Sequence, residues 1–287
     1  AIGSVAHPWA MDEDGRWTSQ LRPAIPISEI IALETPVDSD GYKAYYLTPT
    51  TAQQREARVG EGADIPTFKL TGGDHSIRLH KFGGGIESSY EVLRRQRVNR
   101  VEMHVARVAV QAEVDKLAAI IDVLVSGDGN SGTAATNHNL TTLDTTASAG
   151  TLTLKGWLAF KMKFANPYVL SHILVQEAVA LQLALLNTGS GNVPLVTLTD
   201  AAGFGRFTPI NPGLGDGVRM GWTSDAPTLK IVGFDRRFAI ERAFEIGADI
   251  VEVERIARNQ TETLYMTEVE GYAKFDPGAC LTLNVNA

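Results

Sequence analysis

Residues 98–125 hold apolar side chains at three- and four-residue spacing, and this run constrains the fold more than any other feature. Val101, Val105, Val108 and Ala112 form one series; Val110, Val114, Leu117, Ile121 and Leu124 form another. The pattern predicts one amphipathic helix of about 28 residues, which at ~1.5 Å per residue is about 42 Å long. A helix of that length serves as a spine for other elements. Its end is marked by Gly127-Asp128-Gly129-Asn130, residue types that accept the left-handed conformation of a C-terminal cap. Val114 is expected to be buried, so that Val114→Asp would unfold the chain.

The segments before the spine are unlike a compact core. Residues 1–26 carry Pro8, Pro23 and Pro26, with Trp9 and Trp17 isolated among polar neighbours, and read as an arm ordered by lying on something else. Residues 27–35 suit a short helix or strand, and residues 42–47 a strand. A polar tip at 48–62 and an alternating stretch at 67–82 complete a long hairpin, interrupted at Gly72-Gly73. Such a hairpin exposes strand edges unless a neighbouring subunit covers them. After Gly83-Gly84-Gly85, residues 86–96 read as a short helix.

Beyond the spine, residues 127–150 are rich in Gly, Ser, Thr and Asn and read as a surface loop. Helices are expected at 155–164 and 176–186, and strands at 172–175, 193–198 and 229–234. A Gly- and Pro-rich loop fills 203–217, and strands return at 250–253, 263–273 and 279–285. The sequence shows no repeat of fixed period.

Chemistry is hard to find in this sequence of 287 residues. Residues 127–133 resemble a phosphate loop in glycine content but lack its Gly-Lys-Ser/Thr ending. Asp128 and Asn130 have calcium-loop spacing without the remaining ligands. Asp74-His75-Ser76 has the residue types of a relay, but neighbours in a strand face opposite ways. His7, His75, His80, His104, His138 and His172 form no HExxH pair and have no companion cysteines. Cys280, the single cysteine, sits in an apolar strand and reads as an inert core thiol, and one cysteine permits no intramolecular disulfide. No catalytic, cofactor-binding or metal-binding residue is therefore assigned, and no enzyme activity is expected.

The net charge of −7 argues against general coating of nucleic acid, and Arg94, Arg95, Arg97 and Arg100 read as a solvated or intersubunit basic cluster. No apolar run is long enough for a membrane-spanning helix. Ala1 has two readings, methionine excision or cleavage of a longer precursor, and residues 1–7 lack the pattern of a secretory signal.

The order of parts, arm, hairpin, spine helix, inserted α/β region and closing strands, resembles the tailed-bacteriophage major capsid proteins of the Hong Kong 97 type. The motifs that carry the resemblance are Glu61-Gly62-Ala63-Asp64-Ile65-Pro66, His80-Lys81-Phe82-Gly83, Glu87-Ser88-Ser89-Tyr90-Glu91 and Ser126-Gly127-Asp128-Gly129. Val232-Gly233-Phe234-Asp235 and residues 267–273 continue the series.

The resemblance implies an α+β, Hong Kong 97-like capsid fold in four parts. These are an N-terminal arm at 1–37, an extended loop at 38–85, a peripheral domain at 86–150 and 235–287 with the spine at 98–126, and an axial domain at 151–234. Loops 187–192 and 203–217 would meet at the axis of each ring. It further implies self-assembly through pentamers and hexamers into an icosahedral shell of a virion, assembled in the host cytoplasm around double-stranded DNA without sequence-specific binding. Scaffolding, portal and decoration proteins would be partners. Ile65 and Pro66 stand near the hairpin tip where some members carry a crosslinking lysine, and Lys69 is the nearest lysine, so covalent crosslinking is not expected. Alternatives are an encapsulin-like compartment shell, a minor decoration or tail-tube protein, and a soluble α/β enzyme with dispersed site residues.

Overall fold

The computed structural model describes residues 25–38, 41–47, 72–91, 98–128, 134–188 and 217–287, with the backbone of residues 10–11, 17–18, 193–194 and 208–209. In chain order the strands are β1 (Ile31–Val37), β2 (Gly41–Leu47), β3 (Gly72–Arg78) and β4 (His80–Ser89), followed by the spine helix α1 (Val98–Ser126). Next come β5 (Thr136–Asn139), α2 (Leu140–Leu143), α3 (Leu154–Lys161), β6 (His172–Val175) and α4 (Glu177–Leu185). The rest are β7 (Arg219–Trp222), β8 (Lys230–Phe234), β9 (Ile240–Glu245), β10 (Ile250–Ile256), β11 (Thr261–Lys274) and β12 (Cys280–Asn284).

Two sheets organise the molecule. The first runs β7-β6-β8-β12-β5, with Thr208–Pro209 added outside β7. Its register puts Val175, Ile231 and Leu283 in one row and Leu174, Val232 and Thr282 in the next. Successive strand residues face opposite sides, so the rows serve two different cores. Ile173, Val175, Ile231, Leu281 and Leu283 pack with Trp157, Phe160 and Leu183 of α3 and α4. Leu174, Val232, Phe234 and Cys280 pack with Leu117, Ile120, Ile121 and Leu124 of the spine. A sheet covered on both faces needs an unbroken apolar strand, and β6 is buried at all four positions. Strands β5 and β12 flank the 151–234 segment in sequence, yet they are hydrogen-bonded into its sheet.

The second sheet runs β10-β11-β9-β1, with β4 also paired to β11. Strand β11 holds β10 along residues 261–267 and β4 along residues 261–270, and then β9 along residues 270–274. Strands β2 and β3 form the separate hairpin, closed from Gly41↔Arg78 to Leu47↔Gly72.

The spine spans the expected residues, and Gly127 caps it with φ 92° while its N–H donates to the Val123 carbonyl at 3.0 Å. The expected strands at 42–47, 172–175 and 229–234 and the two helices near 155 and 177 are present. Residues 27–35 resolve into a short 3-10 turn at Ile27–Glu29 and then β1.

Several expectations are corrected. Gly72-Gly73 does not interrupt the hairpin, because both glycines are paired in β3. Residues 86–89 are strand rather than helix, since the long edge of β11 pairs them from Leu264↔Ile86 to Thr261↔Ser89; helix begins only at Tyr90. The 127–150 stretch contains β5, which pairs parallel with β12 through Asn139, and Leu140 of α2 is fully buried. Strands β7 and β9 were not expected. Val114 is half-buried, and the buried apolar residues described on the spine are Ala109, Leu117, Ile120, Ile121 and Leu124. Of the strand expected at 193–198 only Val193–Pro194 is described. The hairpin tip at 48–71, most of loops 187–192 and 203–217, and nearly all of 1–24 lie outside the described residues.

The corner between β3 and β4 lies against β11 so closely that a Cβ on Gly271 would meet the Arg78 carbonyl oxygen at 2.6 Å. Backbone cannot yield as a side-chain tip can. Gly271→Val is expected to destabilise the subunit by about 1–3 kcal/mol, read as a lowered denaturant midpoint. A midpoint equal to the parent's would contradict this packing.

Candidate functional site

The residues weighed for chemistry are dispersed. Asp74, His75 and Ser76 are successive positions of β3, paired with Tyr45, Ala44 and Lys43. His80 is exposed, and the half-buried His138 lies edge-on to Phe160. His7 and Arg94, Arg95 and Arg97 are outside the described residues, as are 129–133; His104 and Arg100 are placed on α1 by backbone alone. Among the described residues no three His, Cys, Asp or Glu side chains are placed to hold a metal ion. None of their helices is long and apolar enough to cross a membrane.

Cys280 is fully buried, its Sγ 3.3 Å from the Leu124 carbonyl, and burial pushes the thiol up to about 12. It is a core thiol. His172 is stacked on Phe234 with its Nδ1 3.0 Å from Ser171 Oγ. Burial first, and then Arg219 and Arg236, lower its pKa to about 4. The unfolded imidazole titrates near 6.5, so the unfolded chain takes up the proton first as pH falls. His172 therefore stabilises the fold above pH ~6.5, and up to about 3 kcal/mol is lost as pH drops through about 4. The difference between parent and His172→Gln unfolding curves should appear in that window; parallel curves from pH 7 to 4 would refute it.

What the described residues do build is an incompletely covered surface. Strands β4, β11 and β10 form a three-stranded ribbon beyond the main core. In β10 the first six residues are exposed, including Ile250, Val251 and Val253. Val251 and Val253 pair with Met266 and Leu264 and extend their apolar row outward. Tyr265 lies on the other face, 42% exposed. An exposed strand carrying apolar residues on both faces, with one edge unpaired among the described residues, is an association hazard unless something covers it.

A buried ionic network ties this ribbon to the spine. Lys116 Nζ is 2.6 Å from Glu268 and 3.4 Å from Glu270, and Glu113 stands at 3.8 Å. Arg242 reaches Glu270 at 2.6 Å and Glu34 at 3.8 Å, and the Tyr272 hydroxyl donates to Glu270. Despite burial, Lys116, Arg242 and these hydrogen bonds hold Glu270 below the usual carboxylate range. Burial instead pushes the Glu268 carboxyl up, against the pull of Lys116. The arrangement fixes the angle between spine and ribbon; no nucleophile or acid–base pair emerges from it. Sequence reading missed it, because Glu268 and Glu270 alternate with Val269 and look like an outward polar face.

No family model matches the sequence, and no curated protein matches it. Solved structures do. The capsid of a native GTA particle is 13% identical, with a TM-score of 0.66 over 95% of each chain. A chain of Mycobacterium phage Bobi is 12% identical, at 0.59 over 99% of this chain and 98% of that one. The virus-like particle from Pyrococcus furiosus is 8% identical, at 0.54 over 90% and 92%. The chain thus has the α+β, Hong Kong 97-like fold of tailed-phage capsid proteins.

Proposed function

We propose that this chain is the major capsid subunit of a tailed phage and acts mechanically rather than catalytically. Copies assemble through pentamers and hexamers into an icosahedral shell that encloses double-stranded DNA without reading its sequence. The observation that carries the proposal is that likeness to the GTA capsid extends over 95% of both chains, and the exposed apolar ribbon fits it. In this reading residues 1–37 are an arm, 38–85 the extended loop over a neighbour, 86–150 with 235–287 the peripheral domain, and 151–234 the axial domain. The net charge of −7 suits a wall that does not grip packed DNA. Scaffolding, portal and decoration proteins are its partners, the virion its location and the host cytoplasm its place of assembly.

The second reading, an encapsulin-like compartment, is favoured by the Pyrococcus furiosus particle, at a lower TM-score and identity than the other two. Particle contents separate the two. Particles purified from producing cells and treated with nuclease should retain protected double-stranded DNA. Particles that hold a protein cargo and no DNA would favour the compartment.

A further inference from the structure

Outward of the buried ionic network the ribbon stands off the spine. A groove of about 250 Å³ parts them, walled by Val108 and Ala112 of the spine and by Phe82, Gly84 and Met266 of the ribbon. In the described contacts Glu268 is the outermost residue of β11 that the spine holds by charge, through Lys116 at 2.6 Å. Two positions inward, Glu270 is fastened by Arg242 at 2.6 Å, by Lys116 at 3.4 Å and by the Tyr272 hydroxyl.

Glu268 is the less well held of the two. It is 6% exposed, yet its Oε2 has no hydrogen-bond partner. A buried carboxylate oxygen in that condition costs stability while charged and much less once protonated. Its surroundings leave that cost in place. From the spine Glu113 and Asp115 face the groove beside Lys116, and Lys116 is shared with Glu270. On β4 its cross-strand neighbour is the uncharged Phe82, with His80 opposite Glu270. Arg242 of β9 reaches Glu270 and, at 3.8 Å, Glu34 of β1. Burial pushes the Glu268 carboxyl up and does the same to Asp249 at the head of β10, with Lys116 and Arg242 pulling the other way on both.

A carboxylate that water reaches titrates in the ordinary range, so a ribbon seated on the spine binds the Glu268 proton better than a displaced one. The position that binds the proton more tightly gains population as pH falls. The ribbon can move as one piece. β4 and β11 are paired from Thr261↔Ser89 to Glu270↔His80, and a Cβ on Gly83 would meet Thr267 at 2.8 Å. A Cβ on Gly84 would meet nothing within 4 Å, so there is room beside the strand. We propose that the ribbon is a proton-controlled lever: with Glu268 ionised it swings outward about the Glu270–Arg242 anchor and lets water reach Oε2, and with Glu268 protonated it seats against the spine. Despite burial, Lys116 and Arg242 hold Glu270 low, so the anchor stays charged in the mild acid that protonates Glu268. The swing carries the apolar row of Val251 and Val253 with it and sets the angle at which that row is offered. The device lies within one subunit and stands apart from the shell reading.

The test measures the separation of two spin labels on unassembled subunits of the full chain, with Asp122→Cys on the spine and Glu252→Cys on the ribbon, both exposed positions. Cys280 is buried and stays unlabelled. Separations are read by pulsed electron spin resonance on samples frozen from pH ~8 down to pH ~5. The parent is expected to show two separations, the longer one losing population several-fold as pH falls. Glu268→Gln keeps the shape of the protonated side chain and is expected to hold the shorter separation throughout. The carboxyl ¹³C shift of Glu268 in the parent should titrate in step with the change. A single separation at every pH in the parent overturns the inference, as does a carboxyl shift that titrates out of step. A Glu268→Gln chain that keeps the parent's response also overturns it, and places the proton on another group such as Asp249 or His80.

Discussion

Arg242→Ala is expected to lower the unfolding free energy of the subunit by about 3–5 kcal/mol, the usual cost of stripping one partner from a buried ion pair. Glu270 is 1% exposed and Arg242 lies 2.6 Å from it. Without the guanidinium, Glu270 keeps Lys116 at 3.4 Å and the Tyr272 hydroxyl. Lys116 is already engaged by Glu268 at 2.6 Å. Glu270 is held low in the folded state, so its stabilisation is present above the unfolded carboxylate range and disappears as pH falls through the folded value. Arg242→Ala should therefore cost most near neutral pH and progressively less in acid. Denaturant titrations at two pH values read both effects. A loss under ~1 kcal/mol at neutral pH would mean that the network is not what joins ribbon to spine.

Deleting residues 50–66 is expected to leave the subunit folded while cutting particle yield by about tenfold or more, because an extended hairpin serves the surface of a neighbour. The two cores, as far as the described residues go, draw on the spine, both sheets and α2 to α4. The hairpin strands remain paired from Gly41↔Arg78 to Leu47↔Gly72, and Ile77 stays buried against Ala273. Circular dichroism and the unfolding midpoint report folding; velocity sedimentation reports assembly. Unfolding of the isolated subunit would place the hairpin in a core of its own chain, and undiminished assembly would remove its role between subunits.

The legible parts of the fold were those with a strong local period. The spine repeats its apolar residues over the whole of Val98–Ser126, and His172–Val175 is apolar enough to announce a strand covered on both faces. What stayed hidden was set by distant pairing. Gly83-Gly84-Gly85 looks like a break, yet these residues run through β4 because the partner strand comes very close. A Cβ at Gly83 would meet Thr267 at 2.8 Å, and one at Gly85 would meet the Tyr265 ring at 3.0 Å. Thr136–Asn139 has no apolar alternation and becomes a strand only as the edge beside β12. The surfaces named here were half legible. The hairpin stands out in the sequence, whereas the apolar row of the ribbon needs Val251, Val253, Leu264 and Met266 brought together by strand pairing.

The most direct measurement is negative-stain electron microscopy of the purified chain, with its mass by light scattering across a range of salt and protein concentration. A shell subunit gives hollow, uniform particles or capsomer rings far heavier than one copy. A lone species near the 30.9 kDa of a single chain under every condition would contradict it.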